Sequence, residues 1–464
     1  MLFNRRKMLQ FGTASMMLDA VGSRALCVDS DESRIVPGFG KAKSVVVVYA
    51  SGGQSHIDMW DPKPMAPDHI RGIFNPISTN VPGMQFTDLL PGMAAVADRI
   101  KLVRSMSHDD LDHGSATYLS LTGRYHQRIS SNPPPHPSDM PTLGSILTRL
   151  NNEPRFVHDA IHINGPALVP FYAGPGQFGG LLGGAHDPFL IGDVTEGDTA
   201  IPGYDDSVEL VPMRLQERLA LKDTLDRENS GLFSNAKSKR NARNYAKAME
   251  LLASKNVREA FDLSTEKEST RLSYGMNRSG QACLLARRMV EAGVPYINVI
   301  FNHSNRGQDR EPQDTDWYGW DTHNDIFYAL KEQLVPRFDK AVPALLLDLE
   351  QRGLLDQTLV VCMGEFGRAP LIAIEENFEG TNPGRKHWAR AYSVFFAGAG
   401  VKGGGVVGST ARTGGDVVSQ RYGPWDIAAT VFNALGIDPH GHYLDPLDRP
   451  FEISVGNPIR DLYS

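Results

Sequence analysis

The chain has few cysteines, little excess charge and no long apolar run, and each shortage excludes a class of protein. Its three cysteines, Cys27, Cys283 and Cys362, are too few for a disulfide framework. Cys362 lies in an apolar, strand-like run and reads as a small buried hydrophobe. A formal net charge of -7 over 464 residues gives nucleic-acid binding no support. No stretch is apolar enough to span a bilayer, and no internal repeat occurs. Compact catalytic motifs are also missing. Ser55 is not the nucleophile of an elbow, because Ile57 stands where that motif needs glycine. Gly174-Pro175-Gly176-Gln177-Phe178-Gly179 spells the dinucleotide pattern GxGxxG, but Pro175 lies inside it and glycines rather than a helix follow. That segment reads as a Gly-rich surface loop.

What is present is ordinary globular sequence: 41% hydrophobic and 22% charged residues, with 45 Gly and 30 Pro that suit long ordered loops. The length fits one large α/β domain with insertions. At the N-terminus, Asn4-Arg5-Arg6-Lys7-Met8-Leu9-Gln10-Phe11-Gly12 precedes a short, weakly apolar stretch. Over residues 1–29 this resembles a twin-arginine leader, with export to the periplasm or beyond as its consequence. A plain basic terminus is the competing reading, since Asp19 interrupts the apolar part.

From residue 30 to 464 the pattern is one of alternating strands and helices. Val45-Val46-Val47-Val48 is a β-branched run of the kind buried on both faces, and it ends in Ser51-Gly52-Gly53, a functional-loop signature in open α/β sheets. Strands are expected at 101–106, 156–163, 295–301, 358–363 and 392–397. Helices are expected at 92–99, over a short stretch stopping at Gly123, at 141–152, from Asp325 to Leu349 and at 425–435. Pro336 and Pro343 should bend or break the long one. Residues 207–292 have helical spacing and little β-type sequence, and read as a helical insertion or cap. The fold class is therefore α/β, with a mostly parallel, doubly wound sheet.

Polar chemistry gathers in loops beside strand and helix ends. Asp321 and His323 precede the long helix, Glu365 follows the strand at 358–363, and His387 precedes the strand at 392–397. Loops at the carboxyl ends of a doubly wound sheet converge on one crevice. Carboxylates with neutral imidazoles suit a divalent ion such as Zn²⁺, Mn²⁺ or Ca²⁺, which could polarise an ester and activate water. Each residue also has a structural reading. Asp321 could cap the long helix, Glu365 could pair with Arg368, and His387 could pack on Trp388.

The set Gly52-Gly53, Asp58, Asp61-Pro62-Lys63, Trp320-Asp321-Thr322-His323, Gly364-Glu365-Phe366-Gly367-Arg368 and Gly384-Arg385-Lys386-His387-Trp388 resembles the bacterial family called domain of unknown function 1501. Ala397-Gly398-Ala399-Gly400 and the helix around Ala428–Ile437 fit as well. This family is considered related to the alkaline phosphatase and sulfatase superfamily, which implies an exported protein with an alkaline-phosphatase-like sheet. Counting back ten from the Gly of Thr122-Gly123, as the superfamily pattern implies, puts His113 in the nucleophile position, with Ser115 and Thr117 nearby. His323 and His387 resemble two metal-binding histidines. Asp321 stands in for an aspartate that the pattern places at Gly319, and Glu365-Phe366 replaces an Asp-His pair. The acidic residue after the first strand is absent, leaving His56 and Asp58 as the nearest candidate ligands. The resemblance thus implies a metal-dependent hydrolase of phosphate or sulfate esters, acting on a small-molecule or glycan ester. His113 would be nucleophile or acid–base, Arg124 or Arg368 would balance anionic charge, and the metal ligands would come from His56, Asp58, Asp321, His323, Glu365 and His387. The alternative is a non-catalytic envelope or glycan-binding protein on a degenerate phosphatase-type fold.

Overall fold

The computed structural model describes residues 36–151, 158–169, 171–195, 259–302 and 318–464. The expected leader and residues 207–258 of the expected insertion lie outside these. Strand β1 (Ser44–Tyr49) is buried at every position, as its run of valines requires: branched side chains are restricted in a helix and pack well on a pleat. The other strands of the main sheet are β2 (Ile100–Met106), β3 (Ala160–Ile163), β4 (Phe189–Ile191), β5 (Tyr296–Ile300), β6 (Thr358–Met363), β7 (Tyr392–Ala397) and β8 (Gly405–Val407). They form an 8-stranded sheet in the order β8-β2-β7-β6-β1-β5-β3-β4. Every strand but β7 runs the same way; β7 is antiparallel to both β2 and β6.

Helices cover both faces, which is why the central strands are apolar at every residue rather than at alternate ones. Val46 and Val48 of β1 share a core with residues of α3 (Arg278–Glu291) and α4 (Val335–Gln351). Val45, Val47 and Tyr49 face the other way, toward α1 (His113–Thr122), α2 (Leu143–Leu150) and α5 (Pro424–Ala434). Although α3 lies inside the expected insertion 207–292, it belongs to the cover of the sheet. No helix among the described residues is long and apolar enough to cross a membrane.

Some local expectations change. The edge strands β4 and β8 had no sequence signal, because three residues are too short to show a period. Strand β3 begins at Ala160, with His158 and Asp159 outside it. The glycine-rich segment at 174–179 is largely buried rather than on the surface. Gln177 pins it by donating to the carbonyls of Ala167 and Gly174, and a Cβ on Gly176 would meet Tyr118 Cα at 2.7 Å. The long helix runs through a π-helical turn at Ala329–Leu334 before α4 begins. Pro336 falls at the start of α4, where its missing N–H costs little, and α4 continues through Pro343.

Candidate metal centre

Four loops at the carboxyl end of the sheet meet beside β1. Asp112 caps α1, its carboxylate accepting from the backbone of His113, which fixes His113 as the first helical residue. Asp321 and His323 lie in the loop ahead of the long helix. After β6 the chain turns through Glu365 and Phe366 into a short antiparallel ribbon, where His387 pairs with Arg368. Gly52, just after β1, has φ 116°. Any side chain there would be strained and would collide with the backbone nitrogen of Asp321. The glycine signature after β1 thus lets the Asp321 loop lie directly on the strand end.

One donor atom from each of His113, Asp321, His323 and His387 lies within 4.8 Å of all the others. The Nε2 atoms of His113, His323 and His387 approach Asp321 Oδ1 at 3.1, 2.9 and 3.1 Å. Two of these nitrogens, on His323 and His387, are 2.8 Å apart. On the far side of each ring, Nδ1 meets an acceptor. His113 donates to Glu365 Oε1 (2.6 Å), His323 to Glu375 Oε2 (2.9 Å) and His387 to the Leu111 carbonyl (2.7 Å). A hydrogen on every Nδ1 leaves the neutral rings with lone pairs on Nε2, all facing one point together with a carboxylate oxygen. Lone pairs at such distances repel, and His113 Nε2 is buried with no well-aligned hydrogen-bond partner. A cation at that point resolves the repulsion, and second-layer acceptors that set the tautomer are a recurrent mark of metal-binding histidines. The donor set of imidazoles and a carboxylate fits a divalent transition ion.

The electrostatics point the same way. Burial alone would lower the pKa of His113, but Asp321 and Glu365 overcome it and lift the group to about 9. Burial and the neighbouring His113 cation push His387 down to about 4, against the pull of Asp321. Burial works to raise the Asp321 pKa, yet His113 and Arg368 hold it well below the ordinary carboxylate range. Without a metal, a proton on His113 Nε2 answers the Asp321 charge, and a bound ion would take the place of that proton.

The remaining expected residues stand elsewhere. Glu365 is fully buried one layer behind His113, accepting also from the Gly52 N–H (2.7 Å) and the Tyr49 hydroxyl (3.2 Å). His113, expected as the nucleophile, has both ring nitrogens engaged in the cluster. Asp58 is not brought to the cluster, because it is locked in a two-pronged pair with buried Arg385 (2.7 and 3.0 Å) and a hydrogen bond from Ser55. His56 sits apart as well, its Nε2 on the Gly414 carbonyl (2.8 Å), and burial lowers its pKa to about 4. Arg368 cannot clamp a substrate anion. It is fully buried, and four of its five N–H donors go to Asp321 and to the carbonyls of Gly52, Gly53 and Arg385. Arg124 follows the far end of α1, about 15 Å along the helix from His113, and donates to the Glu452 carbonyl. Phe366 packs its ring 4.9 Å from that of His113 and 4.7 Å from that of His387.

Sequence reasoning missed Glu375 and Phe378, the latter stacked flat on His323 at 3.6 Å. Both lie on a loop with no periodic or motif signal. Arg385 had one, since it sits two residues from His387 in the quoted motif.

A model of the family described as "Protein of unknown function (DUF1501)" matches residues 42–463. No curated protein matches the sequence. Among solved structures, a protein in the alkaline phosphatase superfamily from Vibrio parahaemolyticus aligns at 11% identity and TM-score 0.40, covering 100% of this chain and 79% of that one. The lipoteichoic acid synthase LtaP from Listeria monocytogenes aligns at 11% and 0.39, covering 92% and 78%. The phosphonate monoester hydrolase SpPMH from Silicibacter pomeroyi aligns at 12% and 0.39, covering 91% and 76%.

Proposed function

The chain belongs to the DUF1501 family, whose description names no reaction, and we propose a metal-dependent hydrolase of phosphate or sulfate esters: the site supports the metal, and the resemblance of its motifs to the alkaline phosphatase and sulfatase superfamily supports the ester class. The observation that carries this reading is the convergence of the His113, His323 and His387 Nε2 atoms on Asp321 Oδ1, with every Nδ1 held by an acceptor. These four residues would hold the ion. Bound there, a divalent metal supplies Lewis acidity toward an ester oxygen and lowers the pKa of a water. The chain's own part is positioning. Glu365, Glu375 and the Leu111 carbonyl orient the rings, and Arg368 offsets part of the Asp321 charge while fixing its carboxylate. The twin-arginine-type sequence at 1–29 supports export to the periplasm or beyond, and the substrate on this reading is a small-molecule or glycan ester.

Metal analysis of protein purified without chelator tests the site. The expected result is near-stoichiometric transition metal that is lost in His323→Ala and His387→Ala. Turnover of chromogenic phosphate and sulfate esters, abolished in the same variants and restored by no added base, tests the reaction. Metal-free wild-type protein would sink the reading.

One observation favours a second reading. Four protein donors can close a tetrahedral shell, as in structural sites, whereas catalytic zinc usually keeps a position open. On that reading the centre stabilises a non-catalytic envelope or glycan-binding protein. Metal removal would then lower the melting temperature while no ester is hydrolysed in either state.

A further inference from the structure

A cleft lies at the end of α1 remote from the metal centre. His113 is the first residue of α1 and Thr122 the last, so the two places are about 15 Å apart along the helix. The cleft holds about 400 Å³, and its lining includes Tyr118, Arg124, Tyr125, Gln127, Met140 and Trp425. That volume falls in the range of small-ligand sites.

The walls of the cleft are tied down. Gly123, which ends α1, has φ 70°, and a Cβ there would meet Ala428 Cβ at 2.7 Å. The turn that carries Arg124 and Tyr125 therefore lies directly on α5. The Tyr118 hydroxyl accepts from the Met140 N–H (2.9 Å), and the Tyr125 hydroxyl from the Asp109 N–H (3.3 Å). Ser454 donates to the Trp425 carbonyl (3.1 Å), and Arg124 Nη2 to the Glu452 carbonyl (2.6 Å). A cavity whose walls are fixed before a ligand arrives needs little ordering on binding.

Its lining joins two chemistries. Tyr118, Tyr125 and Trp425 supply aromatic surface; the rings of Tyr125 and Trp425 are 5.7 Å apart and tilted by 42°, and Tyr125 is 38% exposed. Beside them are planar polar groups: among the described residues, Arg124 Nε and Nη1 and the Gln127 amide meet no protein partner. Charge here is mixed. Arg124 and Asp139 both act on the Tyr118 hydroxyl, with opposite sign, Asp109 holds Tyr125, and exposed Arg128 and Glu452 adjoin the same segments. An ion of either sign therefore gains little, and a wholly apolar chain would take water from Arg124 and Gln127 without replacing it. A sugar ring meets both demands. Its C–H faces suit aromatic surface, and its rim of hydroxyls suits planar side chains that hold two oxygens at once.

We propose that this cleft binds an uncharged saccharide, its ring against Tyr125 and Trp425 and its hydroxyls on Arg124 and Gln127. The cleft stands apart from the metal centre, and the inference rests on neither reading of that centre.

The test titrates the full chain by calorimetry with three neutral hexasaccharides, cellohexaose, maltohexaose and chitohexaose, and with sodium hexyl sulfate. At least one hexasaccharide is expected to bind with a Kd below about 1 mM. Tyr125→Ala should weaken that binding about tenfold, and Gln127→Ala about fivefold. Gln127 is exposed and its side chain has no bond to lose among the described residues, so its variant should keep the wild-type melting temperature. No saturable binding of any hexasaccharide, an affinity unmoved by both substitutions, or tighter binding of hexyl sulfate through the same residues would each overturn the proposal. Ester turnover plays no part in the readout, so the cleft and the hydrolase reading fail separately.

Discussion

Replacing Glu365 by glutamine removes one charge while keeping almost all of the geometry. The amide oxygen can still accept from His113 Nδ1 and Gly52 N, now at 2.6 and 2.7 Å. The Tyr49 hydroxyl, 3.2 Å from Oε2 and 3.1 Å from Thr117 Oγ1, can accept from the new NH₂ and donate to Thr117. What disappears is the negative charge that makes His113 a better electron donor. Loss of such a second-layer partner typically costs 10–100-fold in metal affinity, or about 1.4–2.7 kcal/mol. The Glu365 side chain is 0% accessible, so solvent does not screen the effect. Glu375, which plays the same part for His323, is 24% accessible and lies beside Lys386. Glu375→Gln should therefore cost clearly less. Protons complicate the reading in a useful way. His113 is lifted to about 9, in part by Glu365, so near neutral pH the metal must displace a proton that Glu365 also attracts. The substitution weakens both competitors there, and its full cost should show only above the raised pKa, at about pH 9.5. Competition against a chelating dye at neutral and alkaline pH measures both. A Glu375→Gln loss larger than that of Glu365→Gln, or a Glu365→Gln affinity within about twofold of wild type at alkaline pH, would refute the reasoning.

Other perturbations follow from the same geometry. Arg385→Ala leaves Asp58 buried without its counter-ion and should cost about 3–5 kcal/mol, seen as a lower denaturant midpoint; Asp58→Asn should keep its metal, since Asp58 stands outside the cluster. Gly52→Ala must strain a positive φ and push against Asp321, so it should lose metal as well as about 1–3 kcal/mol of stability, measured by metal analysis beside the melting curve. His162 is buried with neither ring nitrogen partnered, and burial lowers its pKa to about 3. Below the unfolded value near 6.5 the unfolded chain takes the proton first, so stability falls as pH drops through that window, by about 1.4 kcal/mol per pH unit for this group. His162→Leu should flatten the fall in urea midpoint between about pH 6 and pH 4 by that slope; an unchanged slope would mean His162 takes a proton in the folded state.

Much of the architecture was legible in the residues because it rests on local patterns. The valines of β1 and the apolar runs at 296–300, 358–363 and 392–397 announce buried strands. The 3–4 spacing before Gly353 announces a long helix. Asp321, His323 and His387 were legible as candidate ligands because carboxylate and imidazole chemistry at strand and helix ends is uncommon without a use, and the fold brings the three together with His113. The layer they occupy was not. Sequence put Asp58, His56 and Glu365 in the same shell as the histidines, because residue type and loop position are all that a sequence supplies. Tertiary structure separated them. Arg385, distant in sequence, claims Asp58; the Gly414 carbonyl claims His56; and the short reach from the end of β6 leaves Glu365 behind His113 rather than beside it. The chemistry of a side chain is local, but whether it meets a metal, a counter-ion or another ring depends on which distant segment packs against it, and only the folded chain decides that.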